Sequence, residues 1–180
     1  MVRPRRTSKY DVLADGTLRV YLTGGLHALL DSQDAELTER CWGTNKQGYA
    51  TRTDHASTPQ YIRMHRVVMS RKLDRELAEN ELVDHISGNR LDNRRSNLRL
   101  ATFAQNLHNR AVQKSSRHAY KGVSTMGRRH RNKCYRAVMY HDYQKLSIAV
   151  CDTPEEAAWM YDQWAIELQG DYARLNLEYV

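Results

Sequence analysis

The sequence predicts an α+β fold in which short antiparallel strands are combined with a few helices. Three observations support this fold class. Residues 18–22 and 133–140 are strand-like runs that mix apolar and polar residues. Residues 82–112 read as a strand, a glycine-containing loop, a second strand and a helix. A well-capped amphipathic helix begins after Thr153 and follows three strand-like segments, which predicts a two-layer module of sheet and helix.

The first 62 residues are expected to form a small β-rich module with one helix. The turn signal Asp15-Gly16 precedes a strand at 18–22, and a helix capped by Asp31 or Ser32 follows at 32–40. Two further short strands are expected near residues 48–51 and 60–62. Nothing in this module predicts a particular chemistry.

Residues 63–116 form the second predicted module, a β-hairpin with one helix on either side. The helix before the hairpin covers 65–73, and Val68, Met69 and Leu73 should point inward. The hairpin strands are expected at 82–86 and around 98–100, and Thr102 should cap the helix that follows.

Residues 117–180 are predicted to pack three strands against one helix. The strands are expected at 120–125, 133–140 and 145–150. Thr153, Pro154 and Glu156 form a capping-box start for the helix, which Gly170 ends. Its apolar positions recur at helical spacing and should face the core: Ala157, Met160 or Tyr161, Trp164 and Leu168.

The distribution of charge is more informative than its total. The 180 residues include 28 Lys+Arg and 21 Asp+Glu, a net charge of +7. Residues 62–116 carry +5, residues 117–147 carry +7 and residues 148–180 carry −6. A basic block beside an acidic one indicates one face for phosphate and another for water, although two solvated faces of opposite charge would give the same numbers.

Several classes of protein are not expected. No apolar run approaches the ~18–20 residues of a membrane span, and the first residues lack the apolar core of a signal peptide. The three cysteines, Cys41, Cys134 and Cys151, are far apart and form neither a disulfide framework nor a CxxC zinc motif. We therefore expect a cytoplasmic protein without a membrane partner and without structural zinc.

The hairpin contains the polar residues that could bind a metal or act as a general base in hydrolysis. Asp84 and His85 are adjacent on a strand and therefore point to opposite faces. Asp84 with Asn106 on the next helix would offer the hard oxygen ligands that Mg²⁺ or Mn²⁺ prefers. A neutral His85 could then deprotonate water for attack on phosphorus, and Asn97 could fix the His85 loop by bonding backbone across the hairpin.

The segment VDHISGNRLDNRRSNLRLATFAQNLHNR resembles the HNH endonuclease motif of phage homing endonucleases. The resemblance implies a ββα-metal element in which Asp84 and Asn106 bind the metal, His85 is the general base and Asn97 is structural. The third letter of the motif is often His, whereas here it is Asn106, with His108 two residues on. His65 also occurs in such sequences and would have at most a supporting role.

The C-terminal segments YKGVS, KCYRAVM and TPEEAAWMYDQWAIELQGDYARLN resemble the plant APETALA/ethylene-response DNA-binding domain. In that fold one sheet face packs on the helix and the other enters the major groove. The sequence departs from the family pattern at four positions: Ser124, Met126, Ala149 and Cys151. The residues expected to contact DNA are Arg136, Tyr140, Lys121 and Lys145 on the outer face, the loop residues Arg128, Arg129 and Arg131, and Arg110 after the hairpin helix.

Together these features predict a metal-dependent endonuclease of the homing type that acts on double-stranded DNA. A single hairpin–helix cuts one strand at a time, so a monomer should nick and a homodimer could cut both strands. No obligate protein partner is evident, and the host cytoplasm is the expected location if the chain is phage-encoded. Two alternatives remain open: a non-catalytic DNA-binding regulator that kept the fold, and a hairpin that only supports the flanking modules.

Overall fold

The computed structural model describes residues 7–54, 60–112, 116–126, 134–141 and 144–179. They divide into two compact units, Met1–Thr102 and Phe103–Val180. Both units combine small antiparallel sheets with helices, so the predicted α+β class is confirmed. No helix in these described ranges is both long and apolar enough to cross a membrane.

The first unit contains two three-stranded sheets, a hairpin and one α-helix. The strands of the first sheet pair in the order β1-β2-β3, those of the second in the order β4-β5-β6, and β7 pairs with β8. A 3₁₀ segment, Ser32–Glu39, separates the two sheets. The bounds are β1 Tyr10–Val12, β2 Leu18–Tyr21, β3 His27–Leu30, β4 Gly43–Thr44, β5 Ala50–Asp54, β6 Gln60–Arg63, α1 Met64–Leu73, β7 Leu82–His85 and β8 Leu98–Ala101.

One hydrophobic core joins these elements. It extends from Leu18 and Val20 in β2 through Trp42 and Met64 to Leu98 in β8. This core crosses the boundary predicted between residues 62 and 63, because the first sheet and the hairpin bury their apolar faces together. Helix α1 contributes Val68 and Met69 as predicted, whereas Leu73, in its last turn, is exposed.

A buried ion pair fastens the 3₁₀ segment to the hairpin. Asp34 is completely buried, and its carboxylate accepts hydrogen bonds from Nε and Nη2 of Arg95 at 2.8 and 3.0 Å. The backbone N–H of Arg95 also donates to Asp31 at 2.7 Å. Strand β3 adds backbone bonds from Leu29 to the loop residues Leu91 and Asn93. The sequence of the N-terminal module indicates no functional site, but the module holds the hairpin loop in place.

The second unit packs a three-stranded sheet on a long helix. Its strands pair antiparallel in the order β11-β10-β9. The bounds are α2 Phe103–His108, β9 Val123–Thr125, β10 Tyr135–His141, β11 Gln144–Cys151 and α3 Pro154–Gln169. Helix α3 begins with the predicted capping box, in which Thr153 accepts from Glu156 N–H at 3.2 Å and the Glu156 carboxylate accepts from Thr153 N–H.

The core of this unit confirms the predicted orientation of β10. Ala137 and Met139 are buried against Ala157, Tyr161 and Ala165 of α3. Gly122 has φ +73°, and a Cβ at this position would overlap the ring of Tyr161, so only glycine allows this close approach.

Two orientations predicted for this unit are wrong. Trp164 was expected in the core, but its side chain is 38% exposed because the buried stripe of α3 follows Ala158, Tyr161 and Ala165 instead. Lys121 was expected on the outer face of a strand, but β9 begins only at Val123, and Lys121 lies half-buried in the preceding turn.

Candidate functional site

The predicted catalytic residues lie on the hairpin formed by β7 and β8. Asp84 pairs across the ladder with Arg99, and His85 pairs with Leu98. Both Asp84 and His85 are buried, at 6% and 4% exposure. Burial of an ionisable pair on a short hairpin is unusual unless partners compensate for the loss of water, so the partners define the site.

Arg99 is the charge partner of Asp84. Its Nε and Nη2 atoms both donate to Oδ2 of Asp84, at 3.0 and 2.8 Å. The ion pair neutralises the carboxylate and fixes its rotamer. Arg99 was not singled out in the sequence, although the hairpin register places it directly opposite Asp84 and could have identified it.

Asn93 orients the ring of His85. Asn93 is completely buried, and its Oδ1 lies 3.3 Å from Nε2 of His85 while its Nδ2 donates to the carbonyl of Leu91 at 3.1 Å. Because the amide donates with its nitrogen to Leu91, its oxygen is left to accept from the imidazole. The proton of a neutral His85 is therefore assigned to Nε2, and Nδ1 carries the lone pair.

The protonation state follows from burial. Burial lowers the pKa of His85 below its ordinary value, and the hydrogen bond to Asn93 and the charges of Asp84 and Asp92 oppose this shift only in part. The imidazole is consequently neutral at neutral pH. A neutral imidazole is the form that a general base needs.

Aromatic rings enclose the other side of His85. The ring of His65 meets it edge-on with centroids 5.0 Å apart, and Tyr49 lies 5.0 Å from His65 and 5.9 Å from His85. Burial, followed by the nearby His85, lowers the pKa of His65 to about 3, so it is neutral and apolar in effect. The guanidinium of Arg90 covers the outer face of Tyr49 at 4.9 Å. His65 thus packs beside the candidate base.

Asn97 braces the loop that follows His85. Its Oδ1 accepts from the N–H of Ser87 at 2.9 Å, and its Nδ2 donates to the carbonyl of Asp92 at 2.8 Å. Its backbone carbonyl accepts from the N–H of Ile86 at 2.9 Å. These contacts are the cross-hairpin backbone bonds expected from the sequence, and they support a structural role.

The second predicted metal ligand, Asn106, is half-buried on α2 and belongs to the second unit. Its pairing with Asp84 remains a prediction. The donors themselves fit a hard cation, since a buried carboxylate and an amide oxygen are suitable ligands. A cation at Asp84 would share the carboxylate with Arg99. No group of three or more His, Cys, Asp or Glu side chains in the described ranges is arranged to hold a metal.

The residues predicted to contact DNA are placed differently from one another. Tyr140 and Lys145 pair across β10 and β11 and are both exposed, and Arg110 is exposed after α2. Arg136 is half-buried on the same sheet. The three loop arginines Arg128, Arg129 and Arg131 lie outside the described residues.

The side chain of Lys121 is hydrogen-bonded within the second unit and does not lie on the outer face of the sheet. Its Nζ donates to the carbonyl of His108, at the end of α2. Burial, followed by the charge of Arg174, lowers the pKa of Lys121 to about 8. The backbone N–H of Lys121 donates to Asn176, whose own N–H bonds the buried Asp162. Lys121 therefore belongs to the internal polar network of the second unit.

Two comparisons with known proteins bear on this site. The family model for HNH endonucleases matches residues 63–108, which include the hairpin and α2. An uncharacterized HNH endonuclease of Acanthamoeba polyphaga mimivirus is 30% identical over 135 residues, or 75% of this chain. The match spans 66% of that relative, just under two thirds of its length. No solved structure matches the chain.

Proposed function

We propose that the chain, whose residues 63–108 match the HNH endonuclease family, is a metal-dependent hydrolase that nicks double-stranded DNA. The observation that carries the proposal is the environment of His85. A buried, neutral imidazole whose Nε2 is bonded to Asn93 is in the protonation state that a general base needs.

In the proposed mechanism His85 accepts a proton at Nδ1 from the water that attacks phosphorus. Asn93 stabilises the resulting imidazolium through the hydrogen bond at Nε2, and Asn97 keeps the loop around it fixed. Asp84 and Asn106 would hold the divalent metal, Mg²⁺ or Mn²⁺. When bound, such a metal supplies charge stabilisation to the leaving 3′ oxygen. The products are a 5′-phosphate and a 3′-hydroxyl.

One ββα-metal element contains one general base, which supports cleavage of a single strand. We therefore propose nicking by a monomer, and cleavage of both strands only by a homodimer. A homing role and action in a host cytoplasm agree with the viral source of the relative.

The C-terminal sheet is proposed to bind the DNA that the hairpin cuts, in the manner of the APETALA/ethylene-response domain. The domains would be residues 1–62, 63–116 and 117–180. Residues 117–147 carry +7 and residues 148–180 carry −6. The exposed pair of Tyr140 and Lys145 on the sheet supports this assignment, because a lysine beside an aromatic ring suits a phosphate and a sugar or base.

A non-catalytic DNA-binding regulator is the second candidate. The ion pair of Arg99 with Asp84 favours it, because the guanidinium occupies the carboxylate on which metal binding would depend. Cleavage of duplex DNA distinguishes the two candidates.

The test is plasmid nicking in Mg²⁺ or Mn²⁺ by the full chain and by His85→Ala. The wild type should convert supercoiled plasmid to open circles, and the variant should bind equally well without cutting. His27→Ala is the matched control, because His27 is exposed on β3 of the same unit. A wild type that binds duplex DNA but cuts it with neither metal would establish the regulator instead.

A further inference from the structure

The second unit contains a large cavity whose lining includes Tyr140 and Lys145, the pair that the proposed function assigns to DNA binding. Its volume is about 840 Å³, within the ~300–1,000 Å³ typical of small-molecule sites. Helix α2, with Phe103 and Leu107, lines one side, and residues of the sheet and of α3 line the rest. All the described residues that line it belong to this unit.

The charge of the lining favours an anion. Arg136, Lys145 and Lys121 line the cavity together with His108 and His141, and no Asp or Glu is found among the described lining residues. Lys121 is engaged by a carbonyl, which leaves Arg136 and Lys145 as the cations suited to a phosphate. The absence of a carboxylate is informative in a unit whose last 33 residues carry −6.

The mouth of the cavity offers aromatic surface. Phe103 is the only phenylalanine of the chain, and it is 71% exposed on a helix otherwise rich in polar residues. Tyr140 is 64% exposed on the opposite wall. Exposed aromatic rings beside cations are the surfaces on which nucleic-acid bases stack, at about 1–3 kcal/mol per base.

We propose that this cavity binds one nucleotide, whose base stacks on Phe103 and whose phosphate contacts Arg136 and Lys145. A flat base with an attached phosphate matches the exposed aromatic rings and the basic lining of the cavity. The nucleotide is either an unpaired one of a DNA strand or a free mononucleotide. Only the first source rests on the proposed DNA cleavage function.

The single phenylalanine makes a direct test possible. Biosynthetic fluorophenylalanine places one ¹⁹F label at Phe103, and the probe is 2′-deoxyadenosine 5′-monophosphate titrated into the full chain in EDTA. A saturable shift of the ¹⁹F resonance, which inorganic phosphate does not reproduce, is expected. No shift, or an equal shift with phosphate alone, would overturn the proposal.

Two variants locate the binding. Ala104→Trp fills the mouth from an exposed position of α2 and should weaken binding of the mononucleotide roughly tenfold or more. Trp159→Ala removes an exposed aromatic ring from α3, outside this cavity, and should leave the affinity within about twofold. Unchanged affinity in Ala104→Trp would show that the nucleotide binds elsewhere and would refute the proposal.

Two duplexes distinguish the sources of the nucleotide. A duplex with one unpaired adenosine should shift the ¹⁹F resonance more than a fully paired duplex if DNA supplies the nucleotide. If the two duplexes shift the resonance equally while the mononucleotide binds, the natural ligand is a free mononucleotide. Either of these two results supports the cavity as a nucleotide site. EDTA removes the metal that cleavage would need, so these titrations measure nucleotide binding without cleavage. The nucleotide site and the DNA cleavage activity can therefore be refuted independently.

Discussion

Asn93 lies in a loop, but it sets the orientation and the tautomer of the proposed catalytic base. It is the residue that assigns the proton of His85 to Nε2, and strand β3 holds it through the bond from Asn93 N–H to the Leu29 carbonyl at 2.9 Å. Partners that orient the histidine ligands of metal sites contribute about 10- to 100-fold to activity, and we expect a similar contribution from Asn93 to the orientation of His85. We therefore treat Asn93 as a positioning residue for the general base.

Asn93→Ala should lower the turnover rate of DNA cleavage by about 10- to 100-fold. DNA affinity should not change, because Asn93 is completely buried and cannot reach the substrate. Rates under single-turnover conditions and binding by fluorescence anisotropy separate the two effects. A variant that loses affinity but keeps its rate would contradict the role given to Asn93.

Asp84 gives a prediction about metal binding that needs no DNA. A cation that binds the folded chain raises the midpoint of thermal unfolding by mass action, and Mg²⁺ or Mn²⁺ should do so for the wild type. Asp84→Asn should abolish the increase. Asp15→Asn, in an exposed turn of the same unit, is the control and should retain it. An equal increase in Asp84→Asn would exclude Asp84 as a ligand.

At the scale of elements, the 3₁₀ segment and the hairpin depend on each other through Arg95 and Asp34. Replacing Arg95 with Met leaves the carboxylate of Asp34 with a weaker partner, Arg71 at 3.7 Å. Breaking a buried pair in this way costs about 3–5 kcal/mol. Loss of this ion pair should therefore destabilise both the fold and the loop that contains Asn93.

Arg95→Met should accordingly lower the free energy of unfolding by about 3 kcal/mol in urea titrations. Arg75→Met is the matched control, because Arg75 pairs with Glu81 at the surface at 2.6 Å. Exposed pairs contribute about 0–1 kcal/mol, so this variant should stay near the wild type. Similar losses in both variants would mean that burial of Asp34 is not what makes its ion pair important.

The elements also show how far sequence reasoning extends. The capping box of α3, the alternation of β10 and the brace formed by Asn97 follow from local spacing, and each is confirmed. The orientations of Trp164 and Lys121 were wrong because they depend on how α3 packs on the sheet, where Gly122 meets Tyr161 only in the folded unit. Arg99 and Asn93 were missed because their partners are set by pairing across the hairpin and its loop.

For the whole molecule, the separation of charge is the property that should govern DNA binding. Lys145 is exposed on the sheet of the basic segment, opposite Tyr140. Lys145→Ala should weaken binding to all duplex sequences and reduce the slope of log K against log salt by about 1. Lys46→Ala, exposed in the first unit, is the control and should change neither. A slope unchanged in Lys145→Ala would remove this sheet from the DNA interface.

The central claim is that His85 is the base of a DNA-cutting enzyme, and single-turnover cleavage of supercoiled plasmid in Mn²⁺ tests it most directly. With protein in excess, the wild type and His27→Ala should produce open circles at the same rate. His85→Ala should be slower by about 100- to 10,000-fold while it binds plasmid as tightly. Cleavage by His85→Ala at the wild-type rate would contradict the claim.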